Sequence, residues 1–415
     1  MTNRDSSAAA SRTASPRAGS AATSSRPSGR EIYLVRPSPE RDGRQFTRRT
    51  LALLLVPTAV LTIVGIVEVL SASSVSAYEQ LGSSFFFFNR QVVYAAIGLV
   101  ALVICSRMPY GVWRRLSVPL LTVAVALMLL ALRAGVSSYG ASRWVVLGPI
   151  TVQPSELAKF ALVSFTAAVL VRKWNHLSEV AHLAIPLAPV VAIVAGVVVL
   201  QRDLGTTIIL AGTVFLMLFA AGIRLRHLAV VAVTGLASSA LLILAESYRI
   251  QRLLVAYQPF KDPLGAGYQQ IQGYIALGSG GWWGVGLGAS RQKWQYVPNA
   301  HTDFIFAILG EELGLFGEIV VLAMFALLIY AGIRVAMNAP DTFGRLFAAG
   351  ITSWLGLQAI VNLGAVTGLL PVTGVPLPFV SFGGSALVIS LSSIGVLASI
   401  AQSRGSPESR GTLSG

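Results

Sequence analysis

Three carboxylates lie close together in KWQYVPNAHTDFIFAILGEELGLFG, residues 293–317, where a long polar loop runs into an apolar stretch. Asp303 sits at that junction. A carboxylate at the edge of a hydrophobic span is costly to desolvate, which makes it a functional candidate. It could act as a general base, or it could cap a helix beginning after Thr302 by accepting free backbone N–H groups. Both readings stand on spacing alone. His301 lies two residues before it, and Glu311, about 80° away around a helix, could line the same cavity at another depth. Other chemistries find little support. His176, His182, His227 and His301 are scattered, and neither HExxH nor GxSxG occurs, so zinc hydrolysis and a nucleophile elbow have no signature.

Further polar residues interrupt apolar sequence elsewhere. In GASRWVVLGPITVQPSELAK, Arg143 could grip a phosphate or carboxylate through paired hydrogen bonds, or with Trp144 it could anchor the chain at a membrane interface. Glu156 and Lys159, three apart on one helical face, could form a structural ion pair or line a polar cavity. Gln201, Arg202 and Asp203, in LQRDLGTT, fit a tight hairpin or a polar group facing the cavity of Arg143. The stretch 246–303 carries Arg249, Arg252, Lys261, Arg291 and Lys293 among Tyr248, Tyr268, Tyr274, Trp282, Trp283 and Trp294. Cations with interleaved aromatics suit an anionic, amphipathic ligand. The glycines of GSGGWWGVGLG permit close backbone approach, but no phosphate-loop or dinucleotide fingerprint accompanies them.

The elements that must position these residues are membrane helices. Of 415 residues, 54% are apolar and 12% charged, with mean hydropathy +0.70, far from the soluble norm of about a quarter charged. Apolar runs of about 20 residues, enough to cross the bilayer, predict ten helices near 51–71, 90–106, 117–134, 155–172, 184–201, 204–222, 228–245, 304–332, 346–369 and 383–401. The expected fold is therefore all-α and polytopic, with one large extracytoplasmic loop, 246–303, before the eighth helix. Alternate gaps hold Arg107, Arg114 and Arg115, then Arg172 and Lys173, Arg224 and Arg226, Arg334 and Arg345. Positive charge marks cytoplasmic loops, so both termini are expected in the cytoplasm. The net charge of +14 is thereby assigned to topology rather than to nucleic acid. Residues 1–49 read as a basic disordered tail, 50–403 as the membrane domain and 404–415 as a short tail. The single Cys105, in an apolar run, excludes an internal disulfide.

GASRWVVLG, QPSELAK, AHTDFIFAILGEELGLFG and LLPVTGVPLPFVSFGGSA, in this order across residues 50–403, resemble the SEDS family of shape, elongation, division and sporulation proteins, its division branch more than its elongation branch. The resemblance implies a ten-helix peptidoglycan glycosyltransferase that polymerises lipid II at the outer face of the bacterial cytoplasmic membrane, at the division septum. Its implied partners are a class B penicillin-binding transpeptidase and other divisome membrane proteins. Asp303 matches the family's catalytic acid, Arg143 and Trp144 its RW pair, and Glu156 with Lys159 its intramembrane acid and lysine. Gln201, Asp203, Lys293, His301 and Glu311 complete the expected substrate-binding set. Arg202 departs from the family's usual proline and could pair with Asp203. The leaving diphosphate needs positive charge, from Arg143, Lys159, loop cations or a divalent cation such as Mg²⁺ or Mn²⁺. Other classes to weigh are a lipid II flippase and a scaffold without chemistry.

Overall fold

A computed structural model of the chain describes residues 39–138, 141–148, 150–176, 180–294, 296–298 and 300–403. The expected tails over 1–38 and 404–415 lie outside the described residues. Ten long helices appear in the expected order: α1 (Pro39–Leu81), α2 (Phe86–Arg107), α3 (Gly111–Ala134), α4 (Pro154–Arg172), α5 (Val180–Leu200), α6 (Leu204–Ala220), α7 (Leu225–Leu244), α10 (Ile305–Met337), α11 (Thr342–Val366) and α12 (Gly384–Ser403). Eight are long and apolar enough to cross a bilayer, and the apolar parts of α5 and α6 are shorter. The loop 246–303 adds two short helices, α8 (Ser247–Tyr257) and α9 (Tyr268–Ser279).

Three features differ from the expectation. The first helix begins at Pro39, within the stretch read as tail, so the arginines from Arg41 to Arg49 lie on a helix. It also runs ten residues past the expected end. Its serine-rich stretch stays helical because Ser73, Ser74 and Ser76 donate to the carbonyls of Val69, Ser71 and Ser73 at 2.6, 3.0 and 3.1 Å, which meets their polar demand within the helix itself. Third, the link between α3 and α4 is not plain loop. It forms an antiparallel sheet of β1 (Val136–Ser138), β2 (Ala141–Leu147) and β3 (Ile150–Val152), in the order β1-β2-β3.

Helices α4, α11 and α12 bury most of their surface and form the centre, whereas α7 buries almost none. Small residues permit that packing. A side chain at Gly395 of α12 would meet the Leu102 carbonyl of α2, the close approach that small residues allow between membrane helices.

The longest departure from regular helix is in α10. Gly314 has φ +66° and ψ −169° and breaks the helix inside the GEELG sequence. The loop after α9 repairs the interrupted ladder: Leu315 and Phe316 donate to the carbonyls of Gly281 and Trp282, while Val285 and Gly286 donate to those of Glu311 and Glu312. Broken helices survive in apolar surroundings only when other groups satisfy the freed backbone.

Candidate active site

Asp303 lies two residues before the start of α10. The cap position is taken by Phe304, with no side-chain cap, so Asp303 does not serve as the helix cap. Its Oδ1 accepts a hydrogen bond from the Thr302 hydroxyl at 2.8 Å. Its backbone carbonyl accepts from Asn362 Nδ2 of α11 at 2.9 Å, and the same amide donates to the Val375 carbonyl at 2.8 Å. One side chain thus ties the carboxylate's backbone to the 367–383 loop. The half-buried carboxyl is pushed above its ordinary range by desolvation. Thr302 and the charges of Arg252 and Arg143 act in the opposite direction.

His301 is packed against Phe87 and Phe382, with ring centroids 4.6 and 5.8 Å away. Burial lowers its pKa to about 4, so it is neutral at pH 7. Its carbonyl accepts from the Phe382 backbone at 2.9 Å.

Arg143 and Trp144 sit on β2, where alternation points them to opposite faces. Arg143 clamps the turn between α5 and α6, donating to the carbonyls of Gln201 at 3.0 Å and Arg202 at 2.5 Å. Its Nη1 is 3.8 Å from Asp203 Oδ2. Asp203 is the cap of α6, accepting from the backbone and hydroxyl of Thr206 at 3.1 and 3.0 Å. Gln201 is buried and donates to the Met128 carbonyl at 3.0 Å. Arg202 does not pair with Asp203 among the described residues; Arg143 takes that place. Arg202 instead adopts φ +57°, a conformation closed to proline, whose ring holds φ near −65°.

Glu156 and Lys159 form a fully buried ion pair at 2.9 Å on α4. Lys159 also donates to Gln358 Oε1 at 2.6 Å and lies over the Trp354 ring. Gln358 continues to the Pro376 carbonyl at 2.9 Å. The pair is therefore wired into α11 and the 367–383 loop, the same two elements that hold Asp303.

Lys293 and Glu311 belong to a separate buried network. Glu311 accepts from Ser290 Oγ and from the backbones of Arg291 and Gln292 at 2.5, 3.0 and 3.3 Å. Glu312, which the sequence reading left without a role, accepts from Ser71 of α1 and from the backbones of Gly288 and Ser290 at 2.5, 2.9 and 3.2 Å. Lys293 lies 3.9 Å from Glu312 and donates to the Gly288 carbonyl at 2.5 Å. These bonds fix the loop to α10 and α1. None of them reaches Asp303.

Residues the sequence reading did not single out are Asn362, Gln358, Thr302 and, as a group acting on Asp303, Arg252. Gln358 and Asn362, four apart in an apolar span, carried a usable signal, because buried polar groups there need partners. Arg252 was one loop cation among five. As for a metal, no group of three His, Cys, Asp or Glu side chains able to hold an ion occurs among the described residues. The described residues thus hold no three-ligand cage for Mg²⁺ or Mn²⁺.

The chain is 41% identical over 367 residues to a probable peptidoglycan glycosyltransferase FtsW of Geobacter metallireducens, covering 88% of this chain and 98% of that protein. It is 40% identical to stage V sporulation protein E of Bacillus subtilis, covering 84% and 96%. Among solved structures, it superposes with TM-score 0.69 and 31% identity on a chain from work described as "Structural coordination of polymerization and crosslinking by a peptidoglycan synthase complex", covering 85% and 97%. Rod shape determining protein RodA of Thermus thermophilus matches with TM-score 0.63 and 29% identity, covering 85% and 96%. The sequence model of the FtsW, RodA and SpoVE family, described as cell cycle proteins, matches residues 51–406, so this multi-pass membrane protein belongs to that family.

Proposed function

We propose that this protein is a peptidoglycan glycosyltransferase that polymerises lipid II at the outer face of the cytoplasmic membrane, with Asp303 as general base. The observation that carries the reading is the state of Asp303. It is half-buried, spared capping duty, tied by Asn362 to the 367–383 loop and set in the field of Arg252 and Arg143. The glycosyltransferase activity for which the Geobacter metallireducens relative is named is a reaction that such a group serves.

In that reaction the 4-hydroxyl of one disaccharide attacks the anomeric carbon of another. The new C–O bond forms there as the bond to polyprenyl diphosphate breaks, and its electron pair leaves on the diphosphate oxygen. Asp303 takes the hydroxyl proton. Desolvation holds its pKa above the ordinary carboxylate range, bringing it nearer the operating pH at which a base is most effective. The charges of Arg252 and Arg143 act against that rise and favour the ionised form. Septal location, cytoplasmic termini and a penicillin-binding transpeptidase partner complete the proposal.

The test is glycan synthesis from labelled lipid II by the purified protein with its transpeptidase partner. Long glycans from the native protein and none from Asp303→Asn, with folding and partner binding kept, are expected. Polymer from the Asp303→Asn variant would overturn the base assignment. Headgroup transfer across liposomes without polymer would point to a flippase.

A further inference from the structure

Helices α1 and α10 run antiparallel and meet at the same level at both ends. At one end the Arg334 guanidinium lies 4.5 Å from the centre of the Phe46 ring. At the other the Ser71 hydroxyl donates to Glu312 Oε1 at 2.5 Å. Between the two contacts each helix runs about 22–25 residues, or about 33–38 Å at 1.5 Å per residue. That is the hydrocarbon core of a bilayer plus a few ångströms. The network of Glu311, Glu312 and Lys293 therefore lies at a membrane boundary, on the side of Asp303.

The surface of α10 changes character at the same level. Every residue from Ile305 to Glu312 is buried by protein. Past Gly314 the helix turns large apolar side chains outward, Phe316, Ile319 and Leu322 among them. The Glu318 carboxyl leaves that surface and comes back against Gly310, in the direction that helical side chains lean.

The glycine-rich loop after α9 is laid across this boundary. Its Gly281 and Trp282 carbonyls accept from Leu315 and Phe316 at 2.9 and 3.2 Å, and the Trp283 ring lies 5.9 Å from that of Phe316. Trp282 and Trp283 are nonetheless 72% and 80% exposed, and Val285 and Leu287 are exposed beside them. The backbone of the loop is provided for. The N–H groups of Gly284, Val285, Gly286 and Gly288 donate to the carbonyls of Gly280, Glu311 and Glu312 and to the Glu312 carboxylate. A segment that meets lipid needs its backbone donors satisfied by protein. Tryptophan, an apolar body with one polar N–H, is suited to the boundary itself.

We infer that residues 281–287 form a membrane-interface anchor: Trp282, Trp283 and Leu287 sit in the headgroup region of the leaflet on the Asp303 side, and the partner of this surface is phospholipid. The patch is continuous with the exposed apolar side of α10, which favours lipid as its occupant. Through the backbone bonds to α10, the anchor holds the break at Gly314 and the carboxylate network beside it at a fixed depth. The headgroup region is wetted, so this surface stays open to polar reagents from that side of the membrane.

The test reads tryptophan emission from the purified full-length protein, without partner, in phosphatidylcholine nanodiscs. The acyl chains are unlabelled, brominated near the headgroup or brominated near the chain terminus. Emission of the native protein minus that of the double variant Trp282→Phe with Trp283→Phe is the signal of the pair. It is expected to lose most of its intensity in the shallow-brominated lipid and less in the deep-brominated one. A bimane on Leu287→Cys, with Cys105 buried, is expected to follow the same order, and it decides the matter should the double variant fail to fold. Absence of quenching by either lipid would overturn the anchor, and stronger quenching by the deep label would overturn its interfacial depth. A signal untouched by lipid that shifts to the blue only when a penicillin-binding transpeptidase is added would also overturn it and give the surface to a protein partner. None of these readings depends on glycan synthesis, so the anchor and the polymerase assignment stand or fall separately.

Discussion

At the scale of single residues, the main result is a division of labour between two aspartates. Asp203 spends its carboxylate on the first turn of α6 and on Arg143, whereas Asp303 accepts from its own neighbourhood, the Thr302 hydroxyl and its own backbone N–H. Asp303→Asn is expected to lower the turnover of glycan synthesis by 10²-fold or more, the range a positioned general base contributes. The pH profile supplies an independent check. Because burial raises the folded pKa of Asp303, the base is lost as pH falls through that raised value. The acid limb of kcat should therefore lie above the ordinary carboxylate pKa of about 4. Arg252→Gln removes a charge that lowers this pKa, so the limb should move to higher pH. A limb that stays in place would remove Arg252 from the electrostatics of the base. For the buried pair of Glu156 and Lys159, Lys159→Met strands a carboxylate in the centre of the molecule. A loss of about 3–5 kcal/mol is expected, largely restored in the double variant with Glu156→Gln. Thermal unfolding of the four proteins in detergent measures that coupling.

At the scale of elements, two backbone positions show how loops are made to serve helices. Gly314 must hold φ +66° so that α10 can open toward the loop after α9. Gly314→Ala adds a Cβ at φ +66° and ψ −169°, a region essentially confined to glycine, at about 1–3 kcal/mol, and sets it against the backbone of Trp282 and Gly284. A lower Tm and faster proteolysis within 280–294 are expected. Arg202 is the opposite case, a side chain kept where glycine would be easier. Arg202→Gly is expected to raise stability by up to about 1 kcal/mol, since the non-glycine conformation carries that order of strain, and Arg202→Pro to lower it, because φ +57° is closed to the ring. Differential scanning fluorimetry decides both signs. Three of the four motifs that carry the family resemblance span the start of a helix, at Pro154, Ile305 and Gly384. The sequence marks where polar residues interrupt apolar runs, but their partners are not legible in it. Lys293 and Glu311 resembled substrate groups because charge near an apolar span attracts that reading, and only the folded loop 288–292 shows a full set of donors around Glu311 and Glu312.

At the scale of the whole molecule, α4 and α11 connect the buried Glu156 and Lys159 pair to the loop that flanks Asp303. The same loop, through Pro371, Val372 and Thr373, lines a groove together with Arg202, Arg249 and Arg252. The proposed topology places this face outside the cell. With Cys105 buried, single cysteines report sidedness with little background. Trp283→Cys, at an exposed tryptophan, should react with a membrane-impermeant maleimide in intact cells, and Arg345→Cys should react only after permeabilisation. The reverse pattern would invert the membrane orientation and remove Asp303 from the outer face. The sequence by itself determined the ten membrane helices, because apolar run length and composition decide insertion in the bilayer residue by residue. It also marked the family and the residues most able to do chemistry. Tertiary structure decided which of those residues remain free. The cap on α6, the clamp on the 200–203 turn and the network over Glu311 and Glu312 all depend on partners far apart in the chain, and no local spacing encodes which donor a buried carboxylate will meet.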